Sequence, residues 1–292
     1  MEYNQFVEVF ERRIFTNSYN RLLTSLAESS DRFVGIFRSS KPLHKLFQNI
    51  SQSREIRFGD AFEEVIELYL SNNGFSIKNK DLISEKYRNK KNKKLKVDQY
   101  FEKDNNVYLA EQKVRDDHDS TKRVGQFDNF LLKEEAIAKE NSGKTCKGFF
   151  YFIDPSLKKN KNYYKDRLEE ESIMASELSY GSEFFDSIGM SNEWNEIVAH
   201  LTVWRENLPD MFDLNFDSTQ GVFDEVKELK PLIWKKLFSR EEIIQEIFPI
   251  IFPDGTLLNN IYRERMNDSS WNAVCQTIKD YLIENNQFSH GS

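Results

Sequence analysis

Apolar residues at helical spacing open the chain. They recur every three or four positions, as one face of an α-helix does, and predict helix over residues 2–28. These positions are Phe6, Val9, Phe10, Ile14, Leu22, Leu23 and Leu26. Pro42 favours the start of a short helix that reaches Ile50, and the polar stretch from Ser51 to Arg57 predicts a loop.

A second helical pattern begins at residue 58. Its apolar face consists of Phe58, Phe62, Val65, Ile66, Tyr69 and Leu70. Asn73 and Gly74 follow the last apolar position and predict the end of this helix, because glycine readily adopts the left-handed conformation found there. The sequence FSIK then predicts a first short strand over residues 75–78.

Two runs of alternating apolar and polar residues follow, over 95–101 and 107–114. A period of two is typical of β-strands, and the polar turn at 104–106 predicts that the runs form an antiparallel hairpin. A helical pattern over 122–140 comes next. The short apolar run over 148–154 predicts a buried strand.

The elements of residues 58–154 therefore predict an α/β (α+β) core in the order αβββαβ, built around a central mixed sheet. Beyond this core the pattern is mainly helical, with helices predicted over 191–207, 223–238, 240–250 and 269–286. The sequence thus predicts three segments: an N-terminal helical segment (1–57), the mixed core (58–154) and a mainly helical C-terminal region (155–292).

Composition narrows the class of protein. The 292 residues are 39% hydrophobic, which excludes wholesale disorder. The sequence has no apolar run of about 18 residues and no signal-peptide pattern, so we expect a cytoplasmic protein without a membrane span. Cys146 and Cys275 are too few for a disulfide framework or a cysteine-type zinc site. The net charge of −7 argues against a protein that coats nucleic acid non-specifically, but it is compatible with a nucleic-acid enzyme.

Three charged residues on the alternating runs carry the candidate chemistry. Glu111 and Lys113 are two positions apart, so they share one face of a strand, and Asp98 lies on the neighbouring predicted strand. A hard divalent cation takes oxygen ligands, typically one or two carboxylates, and the carbonyl of Gln112 is a further candidate ligand. Such an ion activates water against a phosphodiester, while Lys113 can orient that water and offset charge on phosphorus. The alternative is a solvated sheet face, but Glu111 shares its face with apolar residues.

Asp98, followed after a hairpin by Glu111-Gln112-Lys113, resembles the D…(D/E)XK signature of the PD-(D/E)XK nuclease superfamily. Val97 departs from the signature, which often has proline at that position. The predicted αβββαβ order is similar to the restriction-endonuclease-like core of this superfamily.

Two helices extend the resemblance. The first core helix of the superfamily often supplies an extra acidic residue, and Glu63 matches it, with Glu64 as the competing candidate. Gln126, near the start of the second helix, resembles an additional active-site residue of several branches. The segment EQKVRDDHDSTKRVGQFDNF is similar to a group of bacterial type II restriction endonucleases.

The resemblance implies Mg²⁺-dependent, sequence-specific hydrolysis of double-stranded DNA that leaves 5′-phosphate ends. Asp98, Glu111 and Gln112 would bind the metal, and Lys113 would position or activate water, supported by Glu63 and Gln126. It also implies a homodimer and a cognate DNA methyltransferase in the same system.

Two polar segments flank these residues and are candidate DNA contacts, because each phosphate contact by a basic side chain releases counterions. The candidates are Lys90, Lys91, Lys93, Lys94, Arg115, Asp119, Ser120, Thr121, Lys122 and Arg123. Both segments could instead be solvated loops, with Asp119 or Ser120 capping a helix.

Two other functions stay open on the sequence alone. The chain could be a DNA-binding module that retains a nuclease fold without cutting, or a repair or structure-specific nuclease. The complete Asp98, Glu111 and Lys113 set favours an active enzyme.

Overall fold

The computed structural model describes residues 1–83, 94–208 and 213–289. The chain divides into two compact units. We call Met1–Arg13 with Phe58–Leu208 the sheet unit, and Ile14–Arg57 with Pro209–Ser292 the helical unit. A unit boundary falls between Arg57 and Phe58, where a segment boundary was predicted, whereas residues 154 and 155 belong to the same unit. The division into three segments stays a prediction.

The elements are as follows in chain order. The helices are α1 (Tyr3–Ile14), α2 (Ser18–Glu28), α3 (Pro42–Asn72), α4 (Ser120–Glu140), α5 (Lys161–Glu171), α6 (Ser182–Ser187), α7 (Ser191–Glu206), α8 (Val222–Val226), α9 (Pro231–Phe238), α10 (Glu241–Glu246), α11 (Phe248–Ile251), α12 (Thr256–Arg265) and α13 (Asn272–Glu284). The strands are β1 (Ser76–Ile77), β2 (Asp81–Ile83), β3 (Lys94–Lys96), β4 (Gln99–Lys103), β5 (Asn106–Lys113), β6 (Thr145–Phe152) and β7 (Ala175–Tyr180). Short 3₁₀ turns occur at Ser30–Arg32 and Ser269–Trp271.

The sheet unit is built on a five-stranded mixed sheet in the order β1-β4-β5-β6-β7. β4 pairs antiparallel with both β1 and β5, and β6 runs parallel to both β5 and β7. The predicted α/β (α+β) class and its αβββαβ core with a central mixed sheet are therefore confirmed. β7 was not predicted, because its sequence ASELSY is polar and lies in an acid-rich segment.

The predicted strand over 95–101 is wrong in one respect, since it is two strands in two sheets. β3 pairs with β2 in a separate two-stranded sheet, and β4 joins the main sheet. Between β3 and β4 the Val97 amide still donates to the carbonyl of Lys80, the residue directly before β2, over 3.0 Å. From Gln99 onward the chain pairs with β1 instead of β2, and the Lys78 amide, directly after β1, donates to the Tyr100 carbonyl over 2.8 Å.

The loop predicted for Ser51 to Arg57 is also wrong. α3 runs without interruption from Pro42 through this stretch to Asn72. The sequence SQSREIR is polar but contains no glycine or proline, so nothing in it ends a helix.

Several other helices that were predicted as single elements are divided in the structure. The predicted helix over 2–28 is divided at Asn17, which adopts a positive φ of 62°. The one predicted over 223–238 becomes α8 and α9, because Pro231 occupies the first turn of α9. The one predicted over 240–250 becomes α10 and α11, and that over 269–286 begins with a 3₁₀ turn and ends at Glu284.

Each unit has its own apolar core. One sheet face packs against α4 and α5 through Val107, Leu109, Phe127, Phe130, Phe150 and Tyr164. On the opposite face Phe149 and Tyr151 pack against Phe184 of α6. The core of the helical unit includes Leu23, Phe33, Leu46, Trp234, Phe248 and Ile278. Both cysteines are free thiols, and no described helix is long and apolar enough to span a membrane.

Candidate active site

Strand β5 places Glu111 and Lys113 on the sheet face that carries Val107 and Leu109. β5 lies between β4 and β6, and its residues Val107, Leu109 and Ala110 are fully buried. Glu111 is itself only 4% exposed. A carboxylate in such a position requires charged or hydrogen-bonding partners, and the structure supplies them.

Asp98 lies at the break between β3 and β4 rather than within a strand, which corrects the sequence prediction. Gln99 and Ala110 are the last pair of the β4–β5 ladder at this end. Beyond this pair the Asp98 side chain replaces the backbone of β4 as the partner of β5, because its Oδ2 accepts a hydrogen bond from the Gln112 backbone N–H over 2.8 Å. The break therefore turns the Asp98 carboxylate toward β5.

The Lys113 ammonium is the point at which the three candidate ligands meet. Its Nζ lies 3.0 Å from Asp98 Oδ2, 2.8 Å from Glu111 Oε1 and 2.9 Å from the Gln112 carbonyl oxygen. Burial lowers the pKa of Lys113, but the carboxylates of Glu111 and Asp98 outweigh that effect and hold the pKa above its usual value. Three oxygens thus converge on one cationic group, and the structure brings together the residues that the sequence proposed.

Sequence reasoning missed Lys133 of α4. Its Nζ contacts Glu111 Oε2, and its side chain is only 3% exposed. Lys133 lies on the helix face of Phe130 and Ile137, three positions after one and four before the other. A lysine within an apolar stripe was the available signal, since an ammonium is almost never buried without a partner.

An open cleft of about 500 Å³ gives access to Glu111. It is lined by Leu95, Lys96, Glu111, Lys122, Gly125, Gln126 and Asn129. Gln126 Oε1 is buried and has no hydrogen-bond partner within the described part of the chain. An acceptor in this state is satisfied by water or by a bound group.

The structure distinguishes the two acidic candidates of α3. Glu64 turns away and is held by Arg12 and Arg13 of the N-terminal segment. The Glu63 carboxylate lies 3.5 Å from the Lys80 ammonium. Burial and the charge of Asp98 raise the pKa of Glu63 to about 7, against the opposing effect of Lys80. Of the two carboxylates, Glu63 is thus the one that the charge of Asp98 affects, and its supporting role stays a prediction.

The polar run after β5 combines structural and exposed residues. Asp116 is fully buried and accepts hydrogen bonds from the Asn160 amide and the Tyr180 hydroxyl, at 2.8 and 3.0 Å. Asp119 caps α4 by accepting the Lys122 backbone N–H over 2.8 Å. Arg123 donates to Asn160 Oδ1 over 2.9 Å and stacks over the Tyr163 ring.

The remaining DNA-contact candidates fall into three groups. Ser120, Thr121 and Lys122 are exposed at the start of α4, and Lys122 also lines the cleft. Arg115 is half-buried. Lys90, Lys91, Lys93 and the side chain of Lys94 lie outside the described residues.

Among the residues that the structure describes, no three His, Cys, Asp or Glu side chains cluster as a metal site. The candidate set has a different composition, since it combines two carboxylates with one backbone carbonyl. Such mixed oxygen sets are usual for Mg²⁺, which keeps several waters.

Comparison with known families identifies the segment that carries this site. Residues 76–204 match the family model described as "Type II restriction endonuclease, HinfI". The matched segment contains the whole five-stranded sheet, Asp98, Glu111, Lys113 and Lys133. Neither the curated proteins nor the solved structures gave a significant match. The match indicates a site-specific deoxyribonuclease with a DNA substrate, in a class that is generally metal-dependent.

Proposed function

On the premise that residues 76–204 are those of a type II restriction endonuclease, we propose that the protein binds a short duplex DNA sequence and hydrolyses one phosphodiester in each strand. The reaction would depend on Mg²⁺ and leave 5′-phosphate ends. The observation that supports it is the convergence of Asp98, Glu111 and the Gln112 carbonyl on the Lys113 ammonium.

The donor set fits a hard divalent cation. The two carboxylates of Asp98 and Glu111 and the carbonyl of Gln112 are all oxygen donors, and they already surround one positive charge. When bound, Mg²⁺ would neutralise phosphate charge and lower the pKa of a coordinated water. Lys113 would have to release these oxygens and move toward the scissile phosphate.

Lys113 acts as a cation in this arrangement, since its pKa is held above the usual value. A protonated lysine orients water and offsets charge that develops on phosphorus. Lys133 fixes the other oxygen of Glu111 and so positions the carboxylate. Glu63 and Gln126 would support the site from α3 and α4, respectively.

Double-stranded DNA would enter along the cleft, where Lys122 is exposed to the phosphates. A homodimer would present two such sites to the two strands of a symmetric target. The segments 1–57 and 155–292 would contribute dimer contacts and further contacts with the DNA. We further propose a cytoplasmic location and a cognate DNA methyltransferase that protects the host sites.

The test is incubation of the purified protein with plasmid DNA, with and without Mg²⁺. Discrete fragments are expected only with the metal, and Asp98→Ala or Lys113→Ala should abolish them while DNA binding persists. The matched controls are Glu102→Ala and Lys144→Ala, which break an exposed ion pair of 2.8 Å on the same sheet unit. Full cleavage by both active-site variants would contradict the proposal.

The pattern of products distinguishes the other functions. Binding without cleavage by the wild type would indicate a non-cutting module on a nuclease fold. Nicking without sequence preference would indicate a repair or structure-specific nuclease.

A further inference from the structure

The turn after the first 3₁₀ segment presents two large apolar side chains to solvent. The Arg38 amide donates to the Gly35 carbonyl over 3.3 Å, which closes a four-residue turn with Ile36 and Phe37 at its centre. Ile36 is 90% exposed and Phe37 92% exposed. Single exposed apolar residues are ordinary, but two adjacent ones at the tip of one turn call for a partner.

The base of this turn is fixed in the core of the helical unit. Phe33 and Val34 are buried in that core, and their amides donate to the Ser30 carbonyl over 2.8 and 3.2 Å. On the other side Pro42 is buried at the start of α3, and Leu46 packs into the same core. Ile36 and Phe37 are therefore exposed on a turn whose two flanking segments are both packed in the core of the helical unit.

The segment from Arg32 to Lys41 is basic, in a chain whose net charge is −7, and Asp31 directly precedes it. From Arg32 to Arg54 the sequence contains no Asp or Glu. Arg32, Arg38 and Lys41 are all exposed, and none of them forms an ion pair with a described residue. Unpaired basic side chains of this kind are what phosphate contacts require.

We propose that the Gly35–Arg38 turn is a DNA wedge, in which Phe37, assisted by Ile36, inserts between base pairs while Arg32, Arg38 and Lys41 bind the adjacent phosphates. This inference rests on the proposed function, because the partner is duplex DNA. Apolar side chains such as phenylalanine and isoleucine unstack a base step and kink the duplex when basic neighbours hold the backbone. A narrow convex tip with a positive rim suits a groove of DNA, whereas a self-association surface would be broader and more apolar.

The test compares Phe37→Ser and Ile36→Ser/Phe37→Ser with the wild type, in metal-free buffer so that the DNA stays intact. A closed circular plasmid is relaxed by a magnesium-independent topoisomerase in the presence of each protein. Insertion untwists the duplex, so the wild type should shift the topoisomer distribution and the serine variants should not. Binding to a mixed-sequence duplex should weaken about tenfold in the serine variants.

Two matched variants separate insertion from charge. Leu232→Ser alters another exposed apolar residue of the helical unit, 59% exposed, and should leave unwinding and affinity unchanged. Arg38→Ala/Lys41→Ala should lower the slope of log affinity against log salt by roughly 2, whereas Phe37→Ser should leave the slope unchanged.

The outcomes separate this inference from the proposed function. If the wild type cleaves plasmid DNA with Mg²⁺ but the serine variants unwind and bind like it, the wedge is wrong and the nuclease stands. If the serine variants change the sedimentation of the protein and leave unwinding and DNA affinity unchanged, the turn contacts a second copy and the wedge is wrong. If the wild type neither binds nor cleaves DNA, both proposals fail.

Discussion

Lys133 contacts Oε2 of Glu111, the carboxylate oxygen opposite the one that Lys113 contacts. A helix and a strand thus each supply one ammonium to a single buried carboxylate. Because both oxygens are held, the Glu111 side chain has a fixed orientation before any ligand arrives.

We expect Lys133→Met to destabilise the protein by roughly 1–4 kcal/mol, since it removes one partner of a buried ion pair. The free energy of unfolding, measured in urea, would show this loss. Lys144→Met is the control, because Lys144 is a more exposed ion-pair partner and should change stability by less than about 1 kcal/mol. Equal stability for the two variants would show that the Lys133–Glu111 pair has no net effect.

Lys113→Met should bind Mn²⁺, a spectroscopic substitute for Mg²⁺, more tightly than the wild type does. The Lys113 ammonium occupies the oxygens of Asp98, Glu111 and Gln112, so it competes with a cation for them. DNA cleavage should nevertheless fall by at least about 100-fold, because charge stabilisation at phosphorus is lost. Electron paramagnetic resonance of Mn²⁺ and a cleavage time course measure the two effects. Weaker metal binding by the variant would refute the competition.

Glu63→Gln should stabilise the protein at pH 8 but not near pH 4.5. The pKa of Glu63 is raised to about 7 by burial and by Asp98, so the folded state is penalised once this carboxyl ionises. The penalty is absent below the unfolded pKa of about 4.5, grows between the two values, and reaches roughly 1–3 kcal/mol above pH 7. Thermal unfolding across this pH range would detect it.

Glu64→Gln is the matched control and should have the opposite effect. Burial raises the pKa of Glu64, but Arg13 and Arg12 outweigh that effect and hold it below the usual value. Its ionised form therefore stabilises the fold above the unfolded pKa, and that contribution is lost as the pH falls through the folded pKa. The variant should be less stable than the wild type at pH 8 and equal to it in strong acid. The same sign for both variants would contradict the placement of the two carboxylates.

Asp119→Ala should cost about 1 kcal/mol, because it removes the side chain that caps α4. The unfolding midpoint in urea measures this, with Ser120→Ala as the neighbouring control. A larger loss of stability for Ser120→Ala than for Asp119→Ala would show that Asp119 is not the residue that caps α4.

The alternation of β5 allowed the sequence to predict which sheet face carries Glu111 and Lys113, because each side chain's direction in a strand follows from its position. The break at Asp98 could not be predicted, since residues 95–101 alternate without interruption and the change of sheet depends on the distant partner Lys80. The sequence resemblance nonetheless identified Asp98, Glu111 and Lys113, which the structure brings together.

Lys133 was missed for a different reason. Its place on the apolar face of α4 was a signal of burial, but its partner Glu111 lies 22 residues away and only the fold brings the two side chains into contact. Residues 51–57 show the converse, since their polarity indicated a loop although their side chains are compatible with a helix.

The cluster of Asp98, Glu111, Lys113 and Lys133 contains two carboxylates and two ammonium groups, so its formal charges cancel. The resting protein thereby carries its own counterions and does not depend on a bound ion to hold its carboxylates together. Under the proposed Mg²⁺-dependent reaction, a chelator should consequently abolish DNA cleavage without unfolding the protein, and adding the ion back should restore cleavage.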